Sequence, residues 1–181
     1  MNSAGTQSRF KPPKYGGMAP HDVQAEVMAL GAALGFPEAR AKLSTLQPGD
    51  FFREEHGWIW AAIQRVPEVT VDAVCAEVGD DIGRFSAHGL PPEMAASGGR
   101  IYIEELVEQV FTHYGCEVYA RDVINCARLR RLIQAAGRVA QIAYEGHSAA
   151  SVVEYASDLF GGLRVETDTH PFLNRKGEMP W

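Results

Sequence analysis

The stretch that most constrains the fold is residues 20–66, PHDVQAEVMALGAALGFPEARAKLSTLQPGDFFREEHGWIWAAIQRV, which divides into three helical segments with marked stops. In the first, Val23, Val27, Leu30 and Leu34 recur at spacings of four, three and four and share one side of a 3.6-period helix. Asp22 is placed to cap its free N–H groups, and Gly35 is the permissive residue at its end. Pro37 suits the first position of a short second helix that turns Leu43 and Leu46 inward. In the third, Phe52, His56, Ile59, Ile63 and Val66 form the stripe, flanked by Trp58 and Trp60 as a bulky anchor. A histidine on such a face is expected as a hydrogen-bonded core or rim residue rather than a ligand.

A length of 181 residues suits one domain, and 46% hydrophobic with 22% charged residues is an ordinary globular composition. The three cysteines, Cys75, Cys116 and Cys126, have no paired spacing, which argues for a reducing compartment and against a disulfide framework. No apolar run nears the roughly 20 residues that span a bilayer, and the polar start lacks the apolar core of a signal peptide, so a cytoplasmic location and no membrane partner are expected. With a formal net charge of −6, any contact with nucleic acid has to come from a local patch.

Residues 1–19 carry Pro12, Pro13, Gly16 and Gly17 and no apolar period, which reads as a flexible arm; Arg9, Lys11 and Lys14 alternate there with Phe10 and Tyr15. Thr70 is the expected cap of a fourth helix that presents Val71, Val74, Cys75 and Val78 and ends at Gly79. Residues 80–99 are rich in glycine and proline and read as an unusually long loop. A fifth helix over residues 100–110 is expected to present Ile101 or Tyr102, Leu106 and Val110 to the core. His113 and Cys116 resemble half a metal site, with nothing at a recognisable spacing to complete it. No metal or other cofactor is expected.

Residues 117–144 are the longest periodic segment, apolar on two sides. The wide face holds Cys126, Leu129, Leu132, Ile133, Ala136, Val139, Ala140 and Ala143; a narrower one holds Ile124, Ala135 and Ile142. After Gly146, Ser148 caps a return helix with Ala149, Val152, Val153, Ala156, Leu159 and Phe160 on one face, which makes an antiparallel αα-hairpin. The return helix takes the wide face in this reading. The narrow stripe then needs either the head or another subunit.

The fold class expected is therefore all-α: a compact head of about five helices over residues 20–110, a hairpin over 111–162 in the same domain, and a tail from 163 to 181. Leu30, Phe52, Ile59, Ile63, Leu106 and Leu132 are the structural core candidates. Arg121, Arg128, Arg130, Arg131 and Arg138 form the one concentrated basic patch, with Arg128, Arg131 and Arg138 the candidates for contact with a partner or nucleic acid. No phosphate-cradling G-x-x-x-x-G-K-[ST] loop and no persuasive catalytic constellation occurs, so the chain by itself is not expected to be an enzyme.

Several residues in order carry a resemblance: Pro20, Ala25, Glu26, Leu30 and Gly31; then Leu46, Pro48, Asp50, Phe51 and Phe52; then His56, Ile59, Ala62 and Ile63. Gly98, Gly99, Tyr102, Ile103, Glu105 and Leu106 follow, and later Tyr119, Ala120, Val123, Arg131, Leu132, Ile133, Ala135, Val139, Ala143 and Tyr144. Together, over about residues 20–162, they are similar to the N-terminal domain of DnaB-type replicative helicases, although the loop before Gly98 is longer than that family's. The resemblance implies a helical head with a hairpin, and hairpins of two subunits packed in a collar on one face of a hexamer. It assigns Ile124, Ala135 and Ile142 to the oligomer interface and implies a primase or a helicase loader as partner, DNA contact that is indirect or weak, and an ATPase elsewhere in the parent protein. In that reading the tail begins a linker. The alternative is a small helical single-stranded nucleic-acid-binding or regulatory protein that uses the arginines of residues 121–138.

Overall fold

The structure, a computed structural model, describes residues 18–79 and 99–161. They form seven α-helices and one 3-10 turn: α1 (Val23–Gly35), α2 (Pro37–Lys42), the turn (Pro48–Asp50), α3 (Glu54–Arg65), α4 (Val71–Val78), α5 (Arg100–Glu108), α6 (Cys116–Tyr144) and α7 (Ala149–Gly161). The all-helical class is thus established. The expectations for the arm, the long loop and the tail lie outside the described residues, except at Met18, Ala19 and Gly99.

The head is built around α1. Asp22 Oδ1 accepts from the Ala25 N–H at 2.9 Å and starts the helix, which then buries residues on nearly every side and packs against α3, α5 and α6. Its small residues, Ala25, Ala29, Gly31, Ala32 and Ala33, let those neighbours come close. Closest is α5: a Cβ on Gly31 would lie 2.1 Å from the Leu106 carbonyl oxygen, so only glycine fits. Leu30, Leu43, Leu46, Ile59 and Leu106 are fully buried beside Trp60, whose Nε1–H donates to the Leu46 carbonyl at 3.0 Å. Each such side chain contributes about 1.5–3 kcal/mol by leaving water. Ile63 is buried with them.

Three core expectations change. Phe52 precedes the start of α3 at Glu54, in backbone that is not helical, and is half-buried outside the core; its neighbour Phe51 is the ring that points inward. In α5 the fully inward residue is Ile103; of the two residues expected there, Tyr102 is half-buried and packs against the core while Ile101 is exposed, because the helix starts at Arg100 and its phase places 103 and 106 inside. Leu132 lies beyond the head and is half-buried.

A polar relay crosses this core. Glu26 of α1 accepts from the Phe52 N–H at 2.5 Å and the Arg53 N–H at 3.4 Å, and its Oε2 lies 2.7 Å from His56 Nδ1 of α3. His56 Nε2 lies 2.5 Å from the Tyr102 hydroxyl of α5, with the two rings stacked 5.9 Å apart. A buried carboxylate that already accepts from two backbone N–H groups is met by a hydrogen on Nδ1, and Nε2 on the opposite side of the ring bonds the Tyr102 hydroxyl. His56 is thus a core residue that ties three helices together. Among the described residues no buried side-chain nitrogen or oxygen lacks a partner.

Candidate interaction surface on the helical hairpin

The 29 residues of α6 run about 43 Å at 1.5 Å per residue, well beyond the head. Cys116, Ala120, Val123 and Ala127, spaced by four, three and four, are buried on its first half, and Cys116, Ala120 and Val123 belong to the head's core. Ile124 packs on the same core. From Arg130 the contact becomes polar. Arg130 donates from Nη1 to the Pro20 carbonyl at 2.9 Å and from Nη2 to the Asp50 carbonyl at 2.6 Å, while its guanidinium lies 5.7 Å from the centre of the Phe52 ring. The Phe52 ring also stacks on His21, with centroids 4.5 Å apart. Arg131 donates to Oδ1 of buried Asp50 at 2.5 Å, and Asp50 Oδ2 accepts from the Gln47 N–H at 2.9 Å. The two arginines latch the rod to the segment that Glu26 holds from the other side.

Past the latch, burial on α6 comes from α7. Leu132, Ala135, Val139 and Ile142, spaced by three, four and three, are covered, and α7 offers Val152, Ala156 and Leu159 at four and three. Ser148 Oγ accepts from the Ser151 N–H at 3.2 Å and starts α7, and Gly146 (φ 85°) supplies the left-handed turn between the rods.

This geometry corrects two sequence assignments. Ile124, Ala135 and Ile142 do not form one free stripe: Ile124 is packed on the head, Ala135 is buried, and Ile142 is half-buried in the seam with α7. The outward apolar surface is instead part of the face first assigned to the return helix. It comprises Leu129 and Ile133 (57% exposed) with Ala136, Ala140 and Tyr144 on α6, and Val153 (65% exposed) and Phe160 on α7. Nor are the arginines one patch: Arg130 and Arg131 are held by the head, Arg128 is half-buried, and Arg121 and Arg138 are exposed. Asp50 and Arg130 carried no pairing signal in sequence, since the contact joins positions 80 apart.

Burial pushes the thiols of Cys75, Cys116 and Cys126 up from their ordinary range, away from the reactive thiolate. Among the described residues no group of three or more His, Cys, Asp or Glu side chains is placed to hold a metal ion, and no helix is long and apolar enough to cross a membrane.

Comparison with known proteins is consistent with this architecture. The DnaB-like helicase N terminal domain family matches residues 18–125. The Replicative DNA helicase DnaB of Mycobacterium leprae (strain TN) is 34% identical over 141 residues, covering 77% of this chain and 22% of that protein. Its counterpart in Geobacillus stearothermophilus is 35% identical over 132 residues, covering 69% of this chain and 26% of that protein. The chain therefore spans only about a quarter of the length of these curated relatives. The crystal structure of the N-terminal domain of DnaB helicase from Mycobacterium tuberculosis superposes with a TM-score of 0.67 at 32% identity, covering 81% of this chain and 100% of that one. A family match over more than half the chain, relatives above 30% identity and a shared head-and-hairpin fold lead to one conclusion: the chain belongs to the DnaB-like helicase N-terminal domain family.

Proposed function

We propose that this chain is the non-catalytic assembly module of a replicative helicase, joining copies through its hairpin and presenting the collar so formed to a primase or helicase loader. ATP-driven unwinding would belong to other parts of the parent protein. The observation that carries the reading is the outward stripe of Leu129, Ile133, Val153 and Phe160 on a rod projecting from its own head. Four such side chains are worth several kcal/mol if a second copy covers them, at about 1.5–3 kcal/mol each for full burial. The same stripe on two copies meets naturally about a two-fold axis, because an isologous interface uses one patch twice.

Sedimentation equilibrium tests this directly. The wild-type chain should form a dimer or a higher assembly, and Ile133→Asp or Val153→Asp should each weaken it by at least about ten-fold while leaving the helical spectrum intact. A wild-type chain that stays monomeric, or an assembly indifferent to both substitutions, overturns the proposal. The nucleic-acid alternative is weakened by the engagement of Arg130 and Arg131 with the head.

A further inference from the structure

A second apolar patch lies on the head, at the far end of α1 from the latch. Phe36, just past α1, sits 5.6 Å from the ring of His113, and His113 lies 4.5 Å from Tyr114. Phe111 in the same loop is 92% exposed and Tyr114 76%. Two acids border the strip in sequence, Glu38 two residues after Phe36 and Glu108 next to the Val107 that packs on the core; no described residue pairs with either. The nearby Lys42 is already spent on Glu117 at 2.9 Å. Rings with carboxylates close by in sequence, unpaired among the described residues, suit an incoming cation that carries its own apolar group.

We propose that this patch docks the chain's own N-terminal segment through Arg9, Phe10 and Lys11. Charge favours it: residues 18–79 and 99–115 hold twelve Asp and Glu against five Lys and Arg, net −7, whereas residues 1–17 hold Arg9, Lys11 and Lys14 with no acid, net +3. Length favours it too. The segment enters beside Pro20, at the start of α1, and the patch lies at the end of α1, about 20 Å away for 13 residues at 1.5 Å each. The eight steps from Met18 back to Phe10 span up to about 26 Å when extended, enough for Phe10 to reach the end of α1.

Trypsin cleavage of the full chain after Arg9 and Lys14 is the test, because cleavage of a docked segment tracks the population of its open form. At low salt both bonds should be cut about five-fold more slowly than in the free peptide of residues 1–17, with protection fading as salt screens the charges. Phe111→Ser combined with Tyr114→Ser, which changes only exposed side chains, should restore the peptide rate. Phe10→Ser, which leaves the head untouched, should do the same at Lys14. Cleavage at the peptide rate in the wild-type chain overturns the proposal, as does protection that survives either variant. Protection lost on dilution overturns it as well, since the segment would then come from another molecule.

Discussion

Arg131 of the hairpin donates from Nη2 to Oδ1 of Asp50 in the head at 2.5 Å, an ion pair between residues 81 positions apart. The carboxylate is buried and the guanidinium about half exposed, so the two ends of the pair respond differently to loss of the other. Arg131→Met leaves a buried charge with one backbone N–H for company. Solvent around the arginine discounts the loss, to about 2 kcal/mol. A melting temperature lower by about 4–8 °C is expected for a chain of this size. Arg138→Met, on the exposed side of the same helix, should change stability by less than about 0.5 kcal/mol. Thermal unfolding of the two variants side by side checks the contrast.

Gly31 and Gly137 are both glycines inside helices, yet alanine should have opposite effects at the two. At Gly31 the new Cβ meets the Leu106 carbonyl oxygen at 2.1 Å and Val110 Cγ2 at 2.6 Å, which drives α1 and α5 apart at a cost of about 3 kcal/mol. At Gly137 nothing lies within 4 Å, so alanine adds helix propensity and stabilises by about 0.5–1 kcal/mol. Urea midpoints that move in the same direction for both would contradict the packing described for α1.

Glu26→Ala should be among the most destabilising single changes in the head. It removes the acceptor for His56 Nδ1 and for the Phe52 amide together, and opens a cavity in a site with no water access. A loss of about 3–4 kcal/mol is expected. Because the same amides carry the segment that grips Arg130, hydrogen exchange should also quicken in α6 around residue 130. Unchanged exchange there would show the latch to be independent of the relay.

Burial pushes the Tyr102 phenol up to about 12; Arg53 pulls it down in part, and Glu55 and Glu26 add to the rise. A folded-state value above the unfolded one, near 10, means the neutral phenol is favoured by folding. That contribution is full below about pH 10 and is lost as pH rises from about 10 through about 12, a loss of roughly 2–3 kcal/mol. Tyr102→Phe should start less stable by about 1 kcal/mol, from the lost bond to His56, and show a flatter alkaline limb. Denaturant melts across that range, with tyrosinate absorbance alongside, provide the measurement.

Much of this architecture was legible in local spacing. Asp22, Pro37, Thr70 and Ser148 mark helix starts through their own backbone chemistry, and Leu30, Leu43, Leu46 and Ile59 recur at helical period, so the elements and most of the core could be read before any contact was known. The interaction surface could not. Periodicity says that α6 is apolar on more than one side and is silent on which side meets the head, which meets α7 and which meets water. Phe51 and Phe52 show the same limit on a smaller scale: two adjacent phenylalanines, of which one enters the core and one lies against His21 and Arg130.

From its residues alone, then, the chain determined seven helices among the described segments, their caps, and the family they belong to, because propensity, capping and hydrophobic period act within a few residues along the backbone. Only the tertiary structure decided that Ile124 and Ala135 are inside, that Ile133 and Val153 are outside, and that Arg130 and Arg131 are tied to Asp50. Those outcomes depend on how a 29-residue rod crosses the head, held there by polar contacts between residues about 80 positions apart, and no local pattern encodes such a crossing.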